Sequence, residues 1–226
     1  MSLVVLGGSV SPFVRKVRVA LAEKGLEYHH EQVNPFAPPA GWRELSPLGK
    51  IPALRDGDRV LADSSVICAY LERRFPQPAL YPSDTYDYAR ALWFEEYMDG
   101  GFVPVGGARV FLPLVLKPLF GGKSEADPTD VAAASKVVAE ELPTFWDYLE
   151  RELGDHEFYV GDQLTIADIA VASPHVNLRH AGVAPVRKRW PRLRAFLDRM
   201  HGRPSFKKVI EEETPIFGKR SVKISD

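Results

Sequence analysis

The chain has 226 residues, 45% of them hydrophobic, with 29 basic and 30 acidic side chains and a formal net charge of −1. That length suits one large domain or two modest ones with a real core, and the charge balance gives no electrostatic reason to expect nucleic acid or an anionic membrane as partner. Cys68 is the sole cysteine, which excludes an internal disulfide and a Cys-rich metal site and fits a reducing compartment. The start of the chain does not read as a secretory signal. No uninterrupted apolar run approaches a membrane span; the best, residues 110–116, is broken by Pro113.

Leu3-Val4-Val5-Leu6, closed by Gly7-Gly8, reads as a buried strand. A helix follows, from Ser11 to Gly25. The Ser11 hydroxyl suits an N-cap, Pro12 the first helical position, and Gly25 the left-handed residue that closes a helix. Val14, Val17 and Leu21 share one face, with Arg15, Lys16, Arg18 and Lys24 mostly elsewhere. On this stretch alone Ser11 is a cap. The same position, between a strand and the positive end of a helix dipole, also holds anions and favours a thiolate over a thiol.

Residues 26–34 read as a second strand, on which the adjacent His29 and His30 point to opposite faces and so do not share a metal. Residues 35–39 form a proline-rich loop and 41–45 a short irregular helix, read as a connector by default, with the rim of a ligand site as the alternative. Pro47-Leu48-Gly49-Lys50-Ile51-Pro52 leads into a third strand, Asp56-Gly57-Asp58 turns it, and Arg59-Val60-Leu61 returns. Asp63-Ser64 opens a helix with Val66, Ile67, Tyr70 and Leu71 on its apolar face, ended by Pro76. Cys68, inside this helix, reads as packing. Strand, helix, strand, helix, strand, strand, helix builds a four-stranded mixed sheet with helices packed on it.

The proline-rich stretch 75–82 reads as a linker, with one unit at 1–78 and a second at 84–226 that has no convincing strands. Residues 84–98 form an aromatic-rich helix, interrupted by Gly100-Gly101, Pro104 and Gly106-Gly107, before an apolar segment continues to Phe120. Gly121-Gly122-Lys123-Ser124 ends like a phosphate-binding loop, but Leu116 stands where the first glycine of that motif belongs, so nucleotide binding is rejected. Residues 128–153 read as one long helix with Leu142, Phe145, Trp146 and Leu149 as its stripe. Thr165-Ile166-Ala167-Asp168 starts a helix apolar on nearly all sides, with Asp168 serving the Thr165 amide rather than chemistry. Residues 192–200 and 204–211 are two more helices, and the tail from Glu212 reads as polar and loosely held.

Ser-Pro-Phe-Val-Arg-Lys-Val-Arg from Ser11, Gly-Lys-Ile-Pro-Ala-Leu from Gly49 and Asp-Ser-Ser-Val-Ile-Cys-Ala-Tyr-Leu from Asp63 resemble the thioredoxin-like half of a soluble glutathione S-transferase. Tyr-Val-Gly-Asp-Gln-Leu-Thr-Ile-Ala-Asp-Ile from Tyr159 resembles the signature segment of its all-helical half. The resemblance runs through most of residues 3–210 and is closest to the serine classes, phi, tau and zeta. It implies an α/β thioredoxin-like N-terminal domain with a four-stranded mixed sheet, and an all-α C-terminal helical bundle. It also implies glutathione as co-substrate, no metal, a homodimer, a cytoplasmic location and a part in detoxification.

The resemblance assigns roles as well. Ser11 would donate a hydrogen bond to the glutathione sulfur, sharing with nearby amides the roughly 2.7 kcal/mol that lowers a thiol pKa by about two units. Ile51-Pro52 would be a cis peptide, with the Ile51 backbone pairing the cysteinyl amide like an added strand. Asp63 would meet the γ-glutamyl ammonium and Ser64 its carboxylate, which is compatible with capping because a first helical turn has several free amides. Lys50 reads either as a partner for the glycyl carboxylate or as a solvated surface lysine. The electrophile would lie between the domains against Phe13, Tyr97, Phe111 and Phe120, aromatics that read as readily as core. Two alternatives stay open. One is a zeta-like maleylacetoacetate isomerase, favoured by Lys24-Gly25-Leu26-Glu27-Tyr28 and opposed by Ser9-Val10-Ser11-Pro12, which departs from that class's Ser-Ser-Cys-Ser. The other is a non-enzymatic binding protein of this fold.

Overall fold

A computed structural model describes residues 2–217. Its sheet has strands β1 (Leu3–Leu6), β2 (Tyr28–Glu31), β3 (Ala53–Asp56) and β4 (Arg59–Ala62), in the order β2-β1-β3-β4. β1 runs parallel to β2 and antiparallel to β3, and β3 and β4 form a hairpin. All four β1 side chains are buried because both sheet faces are covered. Leu3 and Val5 join the core beneath helices α1 (Pro12–Glu23) and α3 (Ser64–Arg74). Val4 and Leu6 meet Trp42 of α2 (Trp42–Leu45) on the other face.

The second domain is helical: α4 (Thr85–Glu96), a π-wound helix (Tyr97–Leu116), α5 (Lys117–Phe120), α6 (Pro128–Glu140), α7 (Leu142–Leu153), α8 (Ile166–His180), α9 (Pro191–His201) and α10 (Pro204–Phe217). α8 is its buried centre, closed off from water from Ile166 to Leu178. The start of α8 follows the expected capping: Asp168 accepts from the Thr165 amide and the Tyr159 amide, both at 2.8 Å. Burial nevertheless pushes the Asp168 carboxyl up to about 6, against those hydrogen bonds.

Five sequence readings need correction. The interruptions expected between Gly100 and Pro113 do not stop the chain, which winds continuously from Thr85 to Phe120. This 36-residue stretch is long and apolar enough to cross a membrane by length and composition, contrary to the reading of the sequence. Packing of Met98, Phe102, Val110 and Phe111 into the core overrides the poor helix propensity of its glycines and prolines. Conversely, residues 128–153 are two helices, because Pro143 has no N–H to continue the first. Val66 is exposed, since the buried stripe of α3 is Ser64, Ile67, Cys68 and Leu71. Arg15, Lys16, Arg18 and Lys24, read as mostly off the apolar face of that helix, are nonetheless all buried. Nor is the tail loose from Glu212, since α10 runs to Phe217 with Glu213 fully buried; residues 218–226 lie outside the described residues. Cys68 packs as expected, its thiol pushed up by burial and away from thiolate chemistry.

Candidate functional site

Strand register brings the three singled-out segments together. Leu6 pairs with Ala53, and Ala53 with Ala62, so these residues stand side by side across the sheet. The chain leaves or enters that one edge as Gly7–Ser11, Lys50–Pro52 and Asp63–Ser64. Gly7 is required there: its φ is +155°, and a Cβ would fall 2.5 Å from Val14 Cγ2 and 3.3 Å from Ile51 Cβ. The His30 ring N–H reaches the Gly7 carbonyl at 2.8 Å, and the Ser9 amide donates to Gln32 at 3.0 Å, fixing the loop from the β2 side.

Ser11 is the N-cap of α1, extended at φ −72° and ψ 129°. Its Oγ accepts from the Val14 amide at 3.4 Å, the long end of a hydrogen bond, and its O–H remains free to donate. The Ile51-Pro52 peptide is cis, and the Ile51 N–H and C=O make no loop or turn hydrogen bond among the described residues. Ser46 Oγ donates to the Lys50 carbonyl at 2.7 Å, while the Lys50 side chain is exposed.

Asp63 is the non-glycine residue with positive φ among the described residues, at 79°, a conformation that costs of order 1–3 kcal/mol and persists where surroundings enforce it. Its carboxylate caps α3, accepting from the Ser65 and Val66 amides at 2.9 and 3.2 Å. The Ser64 side chain is buried at the first position of α3, while Ser65 Oγ is held by Lys16 Nζ at 2.9 Å. Lys16 also pairs with Asp99 at 2.6 Å and Glu95 at 3.2 Å. Burial by itself would lower the Lys16 pKa; those two carboxylates outweigh it and hold it above the ordinary lysine value.

The four aromatics expected around an electrophile do not form one wall. Phe13 is half-buried beside Ser11. Tyr97 sits in a ring cluster with Trp93, Phe145 and Tyr148, and burial pushes its hydroxyl up to about 12. Phe111 is core, packed edge-on against Phe217. Phe120 is exposed and meets Phe36 edge-on at 5.4 Å, a contact between the β2–α2 loop and the helical domain. Phe36 lay in the stretch read as a connector or, in the alternative, a ligand rim; a phenylalanine among prolines was the available signal. Two clefts lie elsewhere: one of 590 Å³ between α8, α9 and α10, and one of 720 Å³ beside β2; neither is lined by Ser11, Pro52 or Ser64.

Two further groups escaped sequence reasoning. One is the polar shell behind α1: Arg15, Ser173, Asn177 and Glu213. The other is the Lys16–Glu95–Asp99 set. Buried charges cannot be told from solvated ones before the packing is known.

Comparison with known proteins matches the profile of the glutathione S-transferase N-terminal domain to residues 10–74 and that of its C-terminal domain to residues 116–213. Glutathione S-transferase U2 of Arabidopsis thaliana is 30% identical over 173 residues, 76% of this chain and 69% of that protein. The chain belongs to the glutathione S-transferase family. This is a family of transferase enzymes built on the two domains described above. A glutathione S-transferase of Triticum aestivum is 28% identical over 214 residues, 94% of each chain. A maleylacetoacetate isomerase of Pseudomonas aeruginosa is 29% identical over 206 residues, 88% of this chain and 92% of that one. Among solved structures, a glutathione S-transferase from Rhodospirillum rubrum F11 superposes with a TM-score of 0.81 at 26% identity, covering 92% of this chain and 91% of that one. One from Methylobacterium radiotolerans, solved in complex with glutathione sulfonate, gives 0.73 at 27% identity, covering 93% and 95%.

Proposed function

We propose that the protein is a cytoplasmic, homodimeric glutathione transferase that joins the glutathione sulfur to the electrophilic carbon of a partly apolar small molecule, in detoxification. The observation that carries this reading is the meeting, at one sheet edge, of Ser11, Ile51-Pro52 and Asp63-Ser64 with hydrogen-bonding capacity to spare. The free Ser11 O–H donates to the sulfur, and the positive end of α1 favours its ionised form. The Ile51 backbone takes the cysteinyl amide as an added strand would. The Asp63 carboxylate, exposed on its outer side, pairs with the γ-glutamyl ammonium. The Ser64 hydroxyl and the first amides of α3 take the γ-glutamyl carboxylate, and Lys50 takes the glycyl carboxylate. The thiolate then attacks carbon while the leaving group departs with the bonding pair. Phe13 and the Phe36–Phe120 pair flank the electrophile, with Tyr97 and Phe111 supporting from behind. The unit boundaries 1–78 and 84–226 belong to this reading. Val66 on α3 and Tyr86, Leu92 and Trp93 on α4 are exposed apolar side chains that a second copy would cover.

Calorimetry with glutathione, followed by an electrophile panel, tests the proposal. Micromolar to millimolar binding with turnover of at least one aryl halide or epoxide is expected. Binding without turnover points to a non-enzymatic role for the fold, and no binding sinks the proposal. The isomerase reading draws on the Pseudomonas relative; glutathione-dependent cis–trans isomerisation of maleylacetoacetate, without net glutathione consumption, would select it.

A further inference from the structure

The loop carrying Ser11 is held from behind by the other domain. Ser173 Oγ donates to the Pro12 carbonyl at 2.6 Å, and Asn177 Nδ2 donates to the Val10 carbonyl at 2.9 Å. Ser173 and Asn177 lie four residues apart on α8, so both face α1. Arg15, one turn into α1, ties them together: its Nη1 donates to Asn177 Oδ1 and to the Ser173 carbonyl, each at 2.7 Å. Because a guanidinium only donates, Asn177 has to turn its oxygen toward Arg15, which leaves its NH₂ facing Val10. Arg15 is in turn locked by a two-bond pair with Glu213 of α10, at 2.9 and 2.6 Å. Burial alone would raise the Glu213 pKa; the Arg15 guanidinium beside it holds it below the ordinary glutamate value.

Resting on the transferase reading above, we infer that Ser173 and Asn177 are positioning residues for Ser11, their hydrogen bonds to the Pro12 and Val10 carbonyls fixing the peptide planes that aim its hydroxyl, with Arg15 and Glu213 fixing Asn177. The other basic residues of α1 grip elsewhere. Lys16 holds Ser65, Glu95 and Asp99, Arg18 holds Tyr28 and Glu212, and Lys24 holds Glu72 and the Phe75 and Pro78 carbonyls. Only the Arg15 set, among the described residues, reaches carbonyls flanking Ser11. A thiolate contact has to be placed to within about half an ångström to act, so a loop free to rock would lose its effect without losing the fold.

The test titrates the bound glutathione thiol by ultraviolet absorbance in full-length wild type and in Ser173→Ala, Ser173→Thr, Asn177→Leu and Glu23→Gln. Ser173→Ala removes one donor and keeps the carbonyl that Arg15 uses. The thiol should ionise roughly half a pH unit higher in Ser173→Ala and Asn177→Leu, about a threefold fall in the thiolate-to-thiol ratio at fixed pH. Glutathione affinity should be retained, and Ser173→Thr should restore the wild-type curve. Glu23 pairs with Arg203 and Ser205 at the far end of α1; Glu23→Gln should lower the melting temperature with no shift of the titration. If the Asn177 variant does not fold, the Ser173 variants decide alone. A wild-type thiolate with an unmoved Ser173→Ala curve, or an equal shift in Glu23→Gln, overturns the inference and leaves the transferase reading standing. No thiolate in wild type overturns the transferase reading and this inference together.

Discussion

The polar side chains on the two sides of α1 are in opposite conditions. Behind the helix, at the seam between the domains, Arg15 and Lys16 are buried and each holds two or more oxygen partners. At the sheet edge in front, Ser11 makes one long bond, Lys50 is exposed, and Asp63 spends one carboxylate oxygen on its own cap. Saturated polar groups hold a structure; unsaturated ones, kept in place by neighbours, are free to hold something else. The seam also helps the front stay unsaturated: the carbonyls on either side of Ser11 are pinned by donors arriving from α8.

Breaking the seam should cost most. Glu213→Ala leaves the Arg15 guanidinium buried without its counter-charge, and about 3–5 kcal/mol of stability should be lost; a denaturant midpoint unchanged from wild type would show that Arg15 has found solvent. Next comes a pH effect of opposite sign at two buried carboxylates. Asp168 has a folded pKa raised to about 6 from 3.8. The native state therefore binds the extra proton, and stability should fall as pH rises from about 4 to about 6, by up to about 3 kcal/mol, then level off. Glu213, with its folded pKa lowered below 4.5, contributes stability above that pH which is lost as pH falls through the lowered value. Melting temperatures of Asp168→Asn and Glu213→Gln across the acid range should flatten the first limb and the second limb respectively. Identical pH profiles in all three proteins would remove both assignments.

Changes at the front should spare the fold and strike the ligand. Asp63→Ala should weaken glutathione binding by about 1–3 kcal/mol, with about 1 kcal/mol of stability lost through the cap; unchanged calorimetric affinity would take Asp63 out of the site. Ser11→Ala should raise the pH at which bound thiol ionises by about one unit, with a small fall in melting temperature from the lost, long cap bond. Superimposable thiol titrations would end the role given to Ser11. Lys50→Ala is the smallest, under about 1 kcal/mol of affinity, as befits an exposed charge; a larger loss would make it a principal anchor.

The front was readable in the sequence because its signals are local. A serine before a proline, a glycine after the last turn and an Asp-Ser ahead of an apolar run each state their own reason within four residues. Asp168 was readable for the same reason. The seam was not. Arg15, Lys16 and Arg18 look like a solvated face until α8 and α10 are laid against them, and nothing within reach of Arg15 announces Glu213. The positive φ of Asp63 was equally hidden, since it follows from where β4 delivers the chain. The helix through Gly100 and Pro113 defied local propensity because its packing surface is supplied by distant residues.

The carboxylate that neutralises Arg15 stands 198 positions later in the chain. A ribosome must therefore make and release at least the intervening residues before the first helix can complete its electrostatic shell. Until then the nascent amino-terminal domain carries a cation without this counter-ion, so the seam cannot close before α10 has been made.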